Sequence, residues 1–251
     1  TYPDYDRVAL LIDQEGEIIW EVPHEFASAS GRDGAVLPDG SFVLTGDATL
    51  NTNPTFRALF IHKLSPSGET EWTRIYDYPL THEAGYSITC LPDGGFAVCG
   101  RVHGTGHHYA GQLWLLRTDE NGDTLWTREW GITADWGETV LFENNELCLL
   151  ARGRTDSLPT SGPHLLFYDL DGNYIGGTDY PELNYQYPAD MCSASDGGYT
   201  FVTGANCVIW HTDRYGEPLW WHDIHATPGD RHEGFCVRRT MDGGYVFSGW
   251  Y

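Results

Sequence analysis

The sequence predicts an all-β fold: a five-bladed β-propeller of four-stranded antiparallel blades, occupying residues 1–251 as one domain. Three observations predict it. A unit reading acidic-x-x-Gly-x-x-x-Trp recurs about every 50 residues. It pairs Gly16 with Trp20, Gly68 with Trp72, Gly122 with Trp126 and Gly216 with Trp220, and a copy at Gly172 carries Gly176 in the tryptophan position. A second unit, Asp-Gly-(Gly)-aromatic before a short apolar run ending in Gly, alternates with the first. It runs from Asp39 to Gly46, Asp93 to Gly100, Asp196 to Gly204 and Asp242 to Gly249, with a degenerate copy from Glu143 to Gly153. Finally, the chain opens on the first unit and closes on the second, so the copies pair into five blades only if both chain ends share one blade.

Each unit reads as a hairpin, because Asp-Gly between apolar flanks supplies the positive φ that a tight reversal needs. Runs such as Ala58–His62 and Leu113–Arg117 are apolar enough to be buried on both faces. With strands named A to D from the centre outward, the Asp-Gly-Gly turn joins A to B and the Asp-x-x-Gly turn joins C to D. The terminal segments Val8–Trp20 and Phe235–Gly249 are then expected to form one sheet that closes the ring and removes its open edge. Trp20, Trp72, Trp126 and Trp220 recur once per blade and are expected to wedge between neighbouring blades. Asp119–Asp123 and Asp169–Asn173 resemble the opening of calcium loops but lack the later bidentate glutamate, so the reading favours aspartates that cap turns.

Composition narrows the function classes. Thirty-six acids against 14 bases give a formal charge of −22, and Lys63 is the only lysine. Such a surface repels phosphate backbones, which excludes nucleic acid as the expected partner. No apolar run is long enough to span a membrane. The chain starts at Thr1 without a leader-like segment, as expected of a processed secreted domain or a trimmed one. Six cysteines show neither CxxC nor metal-finger spacing. Cys90 and Cys99 fall at a diagonal offset across one hairpin, too far apart for an unstrained bridge, and free thiols are expected at both.

Gly85-Tyr86-Ser87-Ile88-Thr89, then Asp93-Gly94-Gly95-Phe96, then Leu113 to Trp126 carry a resemblance. The chain resembles the secreted Asp-Gly-Gly propeller repeats of bacteria and archaea, and is more distantly similar to quinoprotein-type and WD40-like propellers. The resemblance covers nearly the whole chain. It implies a secreted, cell-surface or periplasmic protein, and it implies no single function, because such repeats serve varied roles.

Topology indicates where function would sit. Both stereotyped turns lie at one end of the blades. The opposite face therefore gathers the B–C loops, expected at Asp47 to Phe56, Arg101 to Gly111 and Arg154 to Pro163, and the D–A crossings. Nine of the eleven histidines map there, and Asp33, Glu83, Glu138, Asp190 and Glu233 lie near the starts of inner strands. A single acidic, His-containing depression near the axis is expected, with Arg32 and Arg231 as local counter-ions. The candidate ligand-binding residues are Asp33, His82, Glu83, Trp136, Glu138, Asp190, His232 and Glu233. No cofactor is required; a divalent cation, calcium or zinc, held by His82, Glu83, His232 and Glu233 is the metal alternative to a plain acidic surface. The primary reading is an extracellular, non-catalytic module that binds carbohydrate or a protein partner, with loop aromatics including Trp130, Trp136, Tyr185, Tyr187 and Trp221 available to stack on sugars. The alternative is a glycoside hydrolase, with Asp33, Glu138 and Asp190 supplying the working carboxylates.

Overall fold

A computed structural model describes residues 7–23, 26–50, 53–78, 81–103, 111–130, 136–153, 161–183, 185–204, 206–224 and 233–250. The chain opens with β1 (Arg7–Ile12) and β2 (Ile18–Pro23). Four complete blades follow. Blade I is β3 (Ser28–Val36), β4 (Phe42–Leu50), β5 (Asn53–Leu64) and β6 (Thr70–Tyr76). Blade II is β7 (His82–Cys90), β8 (Phe96–His103), β9 (Gly111–Thr118) and β10 (Thr124–Trp130). Blade III is β11 (Trp136–Glu143), β12 (Glu146–Gly153), β13 (Gly162–Tyr168) and β14 (Tyr174–Asp179). Blade IV is β15 (Pro188–Ser193), β16 (Tyr199–Thr203), β17 (Val208–Thr212) and β18 (Pro218–Asp223). The chain ends with β19 (Glu233–Arg239) and β20 (Tyr245–Trp250). All pairings are antiparallel, in meander order from the axis outward.

The twenty strands make five blades, and the fifth is assembled from both ends of the chain. Its inner half, β19–β20, packs on blade IV, where Tyr245 lies 5.9 Å from His211 and 6.1 Å from Trp220, ring centre to ring centre. Its outer half, β1–β2, docks on blade I, where Trp20 meets Phe42 edge-on at 5.4 Å. The expected single sheet is met in strand number but not in hydrogen bonding: β1–β2 and β19–β20 are separate two-stranded sheets. No turn joins β20 to β1, so nothing covalent sets a register between them. The facing hairpins leave Leu10, Ile12, Val246 and Phe247 exposed.

In blades I to IV the B and C strands are buried nearly throughout, which is why they read as continuous apolar runs; β9 and β13 show it most clearly. The repeated turns use their aspartates as the sequence suggested. Asp13 Oδ1 accepts the N–H groups of Glu15 at 3.0 Å and Glu17 at 2.8 Å, and Asp119, Asp169 and Asp213 repeat the arrangement. These carboxylates cap turns rather than begin metal loops. In the degenerate A–B turn, Asn144 and Asn145 adopt left-handed φ values of 53° and 67°, the geometry of a two-residue hairpin.

The tryptophans wedge between blades. Trp72 packs on Phe96 at 6.0 Å, and the Trp126 indole donates to the Leu170 carbonyl at 2.9 Å. Where blade III has Gly176 instead, the wedge moves along the strand end. Tyr180 is fully buried between Phe201 and Trp210, and its hydroxyl donates to the Gly216 carbonyl at 2.6 Å. All six cysteines are unpaired, Cys90 and Cys99 among them. The first B–C loop is shorter than expected: β4 runs on through Asp47 to Leu50 and β5 starts at Asn53, so the hairpin arms replace most of the loop.

Candidate ligand-binding site

Every inner strand carries a register break, beside a glycine in four blades and beside Pro188 in the other: Gly31/Asp33, Gly85/Ser87, Gly137/Thr139, Pro188/Asp190 and Gly234/Cys236. Each break inserts one unpaired residue, namely Arg32, Tyr86, Glu138, Ala189 and Phe235, and such bulges re-aim side chains. The residue after the bulge then reaches the next blade. Asp33 Oδ2 accepts the Ile88 N–H at 2.9 Å, Ser87 Oγ accepts that of Val140 at 3.3 Å, and Asp190 Oδ2 accepts that of Val237 at 2.9 Å. This belt satisfies inner-edge amides that would otherwise have no sheet partner. Inside it runs a central channel of about 490 Å³, lined by residues of all five inner strands, including all five bulge residues.

A partial ring of alternating guanidinium groups and aromatic rings, carried by blades I to IV, borders the loop-side end of this channel. Arg32 Cζ lies 5.4 Å from the Tyr86 ring centre; Arg101 lies 5.6 Å from Tyr86 and 5.1 Å from Trp136. Arg152 lies 5.1 Å from Trp136 and 3.7 Å from Tyr187. These distances are within cation–π range. The repeat positions them: Arg101 and Arg152 sit late in their B strands, opposite Ala84 and Trp136 at the start of the A strands. Arg32 is engaged further by Asp47, at 3.2 Å, which also pairs with Arg57. Arg152 Nε donates to Ser161 Oγ at 3.0 Å. Arg101 has no ion pair among the described residues.

Half-buried Glu138 lies within this ring. Burial pushes its carboxyl up to about 7, against the opposing pull of Arg152, Arg101 and Arg32. Near neutrality it is therefore part acid, part carboxylate, able to donate or accept. Burial also raises the Tyr86 hydroxyl, to about 12, leaving it a neutral donor beside Glu138.

The expected acids Asp33, Glu138 and Asp190 do line the channel, and its loop-side mouth carries guanidinium groups that the expectation did not include. Of the candidate residues, the structure brings together Trp136 and Glu138. Asp33 and Asp190 line the channel but are spent on the belt, and Asp190 also pairs with Arg238. His82 accepts the Arg57 N–H at 3.1 Å and packs on Phe56, which pins β7 to β5. Glu83 is 1 % exposed, takes a hydrogen bond from Thr81, and is raised to about 7 by burial. It belongs to the Asp77–Thr81 crossing rather than to the channel. His232 and Arg231 lie outside the described residues, as do His24, His107, His108 and His225. Among the described residues no three His, Cys, Asp or Glu side chains converge as a metal site would need, and His232, the fourth member of the calcium or zinc set considered above, lies outside them. The other loop aromatics are partly structural: Trp130 packs edge-on against buried His164 at 5.4 Å, and Trp221 stacks on Trp210 at 5.9 Å. Tyr185 is exposed.

Sequence reasoning missed Tyr86, Arg101 and Arg152. The signal was present in the alignment of the repeat: Tyr86 and Glu138 follow the same inner-strand glycine, and Arg101 follows the glycine that ends the second unit.

No protein-family model matches the chain, and no curated protein does. Solved structures show the fold. The chain is 16 % identical to virginiamycin B lyase from Staphylococcus aureus, covering 95 % of this chain and 69 % of that one at a TM-score of 0.66. It is 13 % identical to a protein of unknown function from Bacteroides caccae, covering 97 % and 79 % at 0.63. With the Pan2 WD40 domain of Neurospora crassa it shares 12 % identity over 96 % and 66 % at 0.63. At these identities the likeness is one of fold: the chain is a β-propeller.

Proposed function

We propose that this propeller is an extracellular, non-catalytic binding module that takes a carbohydrate at the loop-side mouth of its central channel. The observation that carries this reading is the ring in which Arg32, Arg101 and Arg152 alternate with Tyr86, Trp136 and Tyr187 around Glu138. Convergent polar groups on a rigid aromatic frame at a concave opening suit a compact polyhydroxylated ligand. An extended peptide is less well served, since it binds by adding a strand to free backbone groups, and the inner-strand amides of Ile88, Val140 and Val237 are already taken. The glycosidase alternative needs two working carboxylates. Glu138 has the raised pKa expected of a general acid, but Asp33 and Asp190 are held by backbone N–H groups. The resemblance to secreted Asp-Gly-Gly repeats supports the extracellular setting.

A glycan array tests the reading. At least one oligosaccharide should be retained intact, and Trp136→Ala or the more exposed Tyr187→Ala should weaken retention about tenfold, the loss expected from roughly 1.4 kcal/mol. Retention unchanged in both variants, or cleavage of the glycan, would overturn it.

A further inference from the structure

We infer that the mouth selects sugars bearing a carboxylate, uronic acids, with Arg101 as the anion-binding fork and Glu138 as its internal competitor. The inference rests on the carbohydrate reading above. Arg101 is half-buried, lies within cation–π range of both Tyr86 and Trp136, and has no ion pair among the described residues. A guanidinium fixed by its faces presents its N–H edges to a partner, and a carboxylate fits that fork bidentately. The local charge favours an anion. Arg32 and Arg57 share Asp47, whereas Arg101 has no ion pair among the described residues and faces Glu138. This basic spot lies on a chain of net charge −22, whose remaining surface repels anions.

Glu138 makes the selection dependent on pH. The groups facing it are Arg32 from β3, Tyr86 from β7, Cys99 and Arg101 from β8, and Arg152 from β12. When ionised, Glu138 neutralises Arg101 and Arg152 and repels an incoming carboxylate. When protonated, it leaves the Arg101 guanidinium to the ligand and offers its own O–H as a donor. A uronate stays ionised at neutral pH, so its binding is coupled to uptake of one proton by Glu138. The sign follows: affinity rises as pH falls through neutrality.

The test is calorimetric titration of the whole chain with tri-galacturonate, tri-glucuronate and their methyl esters at pH 6 and pH 8. At least one acid should bind ten or more times more tightly than its ester at pH 6, and its affinity should fall at least threefold at pH 8. Glu138→Gln should keep binding and flatten the pH profile. Arg101→Gln should remove the preference for the acid, and Arg101→Lys should restore it only in part, since an ammonium cannot form the fork. Folding of each variant is checked by its melting curve. Ester and acid bound equally, with Trp136→Ala or Tyr187→Ala still impairing both, would overturn this inference and leave the carbohydrate reading standing. Binding of an acidic peptide but of no sugar would overturn both.

Discussion

Asp190 distinguishes a structural belt from a catalytic pair. Its side chain is 15 % exposed, and one oxygen accepts both the Val237 N–H at 2.9 Å and a bond from Arg238. Asp190→Ala leaves an amide between blades IV and V without its acceptor. A hydrogen bond to a charged group contributes about 1.5–3 kcal/mol, whereas Arg238, 60 % exposed, adds at most about 1 kcal/mol through its charge. The expected loss is about 2–3 kcal/mol. For a chain this long, with roughly 2–4 °C lost per kcal/mol, the melting temperature should drop by about 4–12 °C. Asp190→Asn keeps an acceptor oxygen and should lose only about 1 kcal/mol. Urea denaturation with paired thermal melts reads both. An alanine variant within about 0.5 kcal/mol of the parent would refute the belt. An asparagine variant as unstable as alanine would show that charge, not the acceptor, holds the blades.

Three further outcomes follow from the geometry. Gly68 and Gly16 share a left-handed φ, +82° and +88°, but an added Cβ at Gly68 would lie 2.6 Å from the Trp20 ring, whereas at Gly16 it meets nothing within 4 Å. Gly68→Ala should therefore destabilise clearly more than Gly16→Ala, by about 1 kcal/mol or more in urea unfolding. Burial raises buried Glu83 to about 7, above its value in the unfolded chain. Its favourable contribution is then full below about pH 4.5 and lost as pH rises through 7, by an amount on the order of 3 kcal/mol. Glu83→Gln should flatten the fall in stability between pH 5 and 8, and an unchanged slope would contradict the assignment. Unfolding without reductant should release six titratable thiols.

The fold was legible because its determinants are local and repeated. Asp-Gly turns, both-face apolar strands and a tryptophan in four of the five blades each have a short-range cause, and each recurs. Closure was legible only as a count. Pairing β20 with β1 depends on a register that no turn encodes, and the structure keeps the two hairpins as separate sheets. The site was read in part. Trp136 and Glu138 were marked as aromatic and acidic residues near inner strands; Asp33 and Asp190, marked by the same criterion, line the channel but also accept backbone N–H groups of the next blade. One residue of register decides between them: Glu138 is the bulge itself, while Asp33 and Asp190 are the residues after it, aimed at the next blade. Arg101 and Arg152 were passed over because each is completed by an aromatic ring of the next blade, Trp136 and Tyr187, and cross-blade stacking leaves no trace in the sequence of one blade.

The most direct measurement of the central claim is a crystal structure of the chain grown with tri-galacturonate or tri-glucuronate near pH 6. The account predicts one sugar carboxylate within hydrogen-bonding distance of the Arg101 guanidinium, at the loop-side end of the channel beside Glu138, with a sugar face against Trp136 or Tyr187. A sugar seated on the turn face or along an outer strand, with Arg101 still bare between Tyr86 and Trp136, would contradict it.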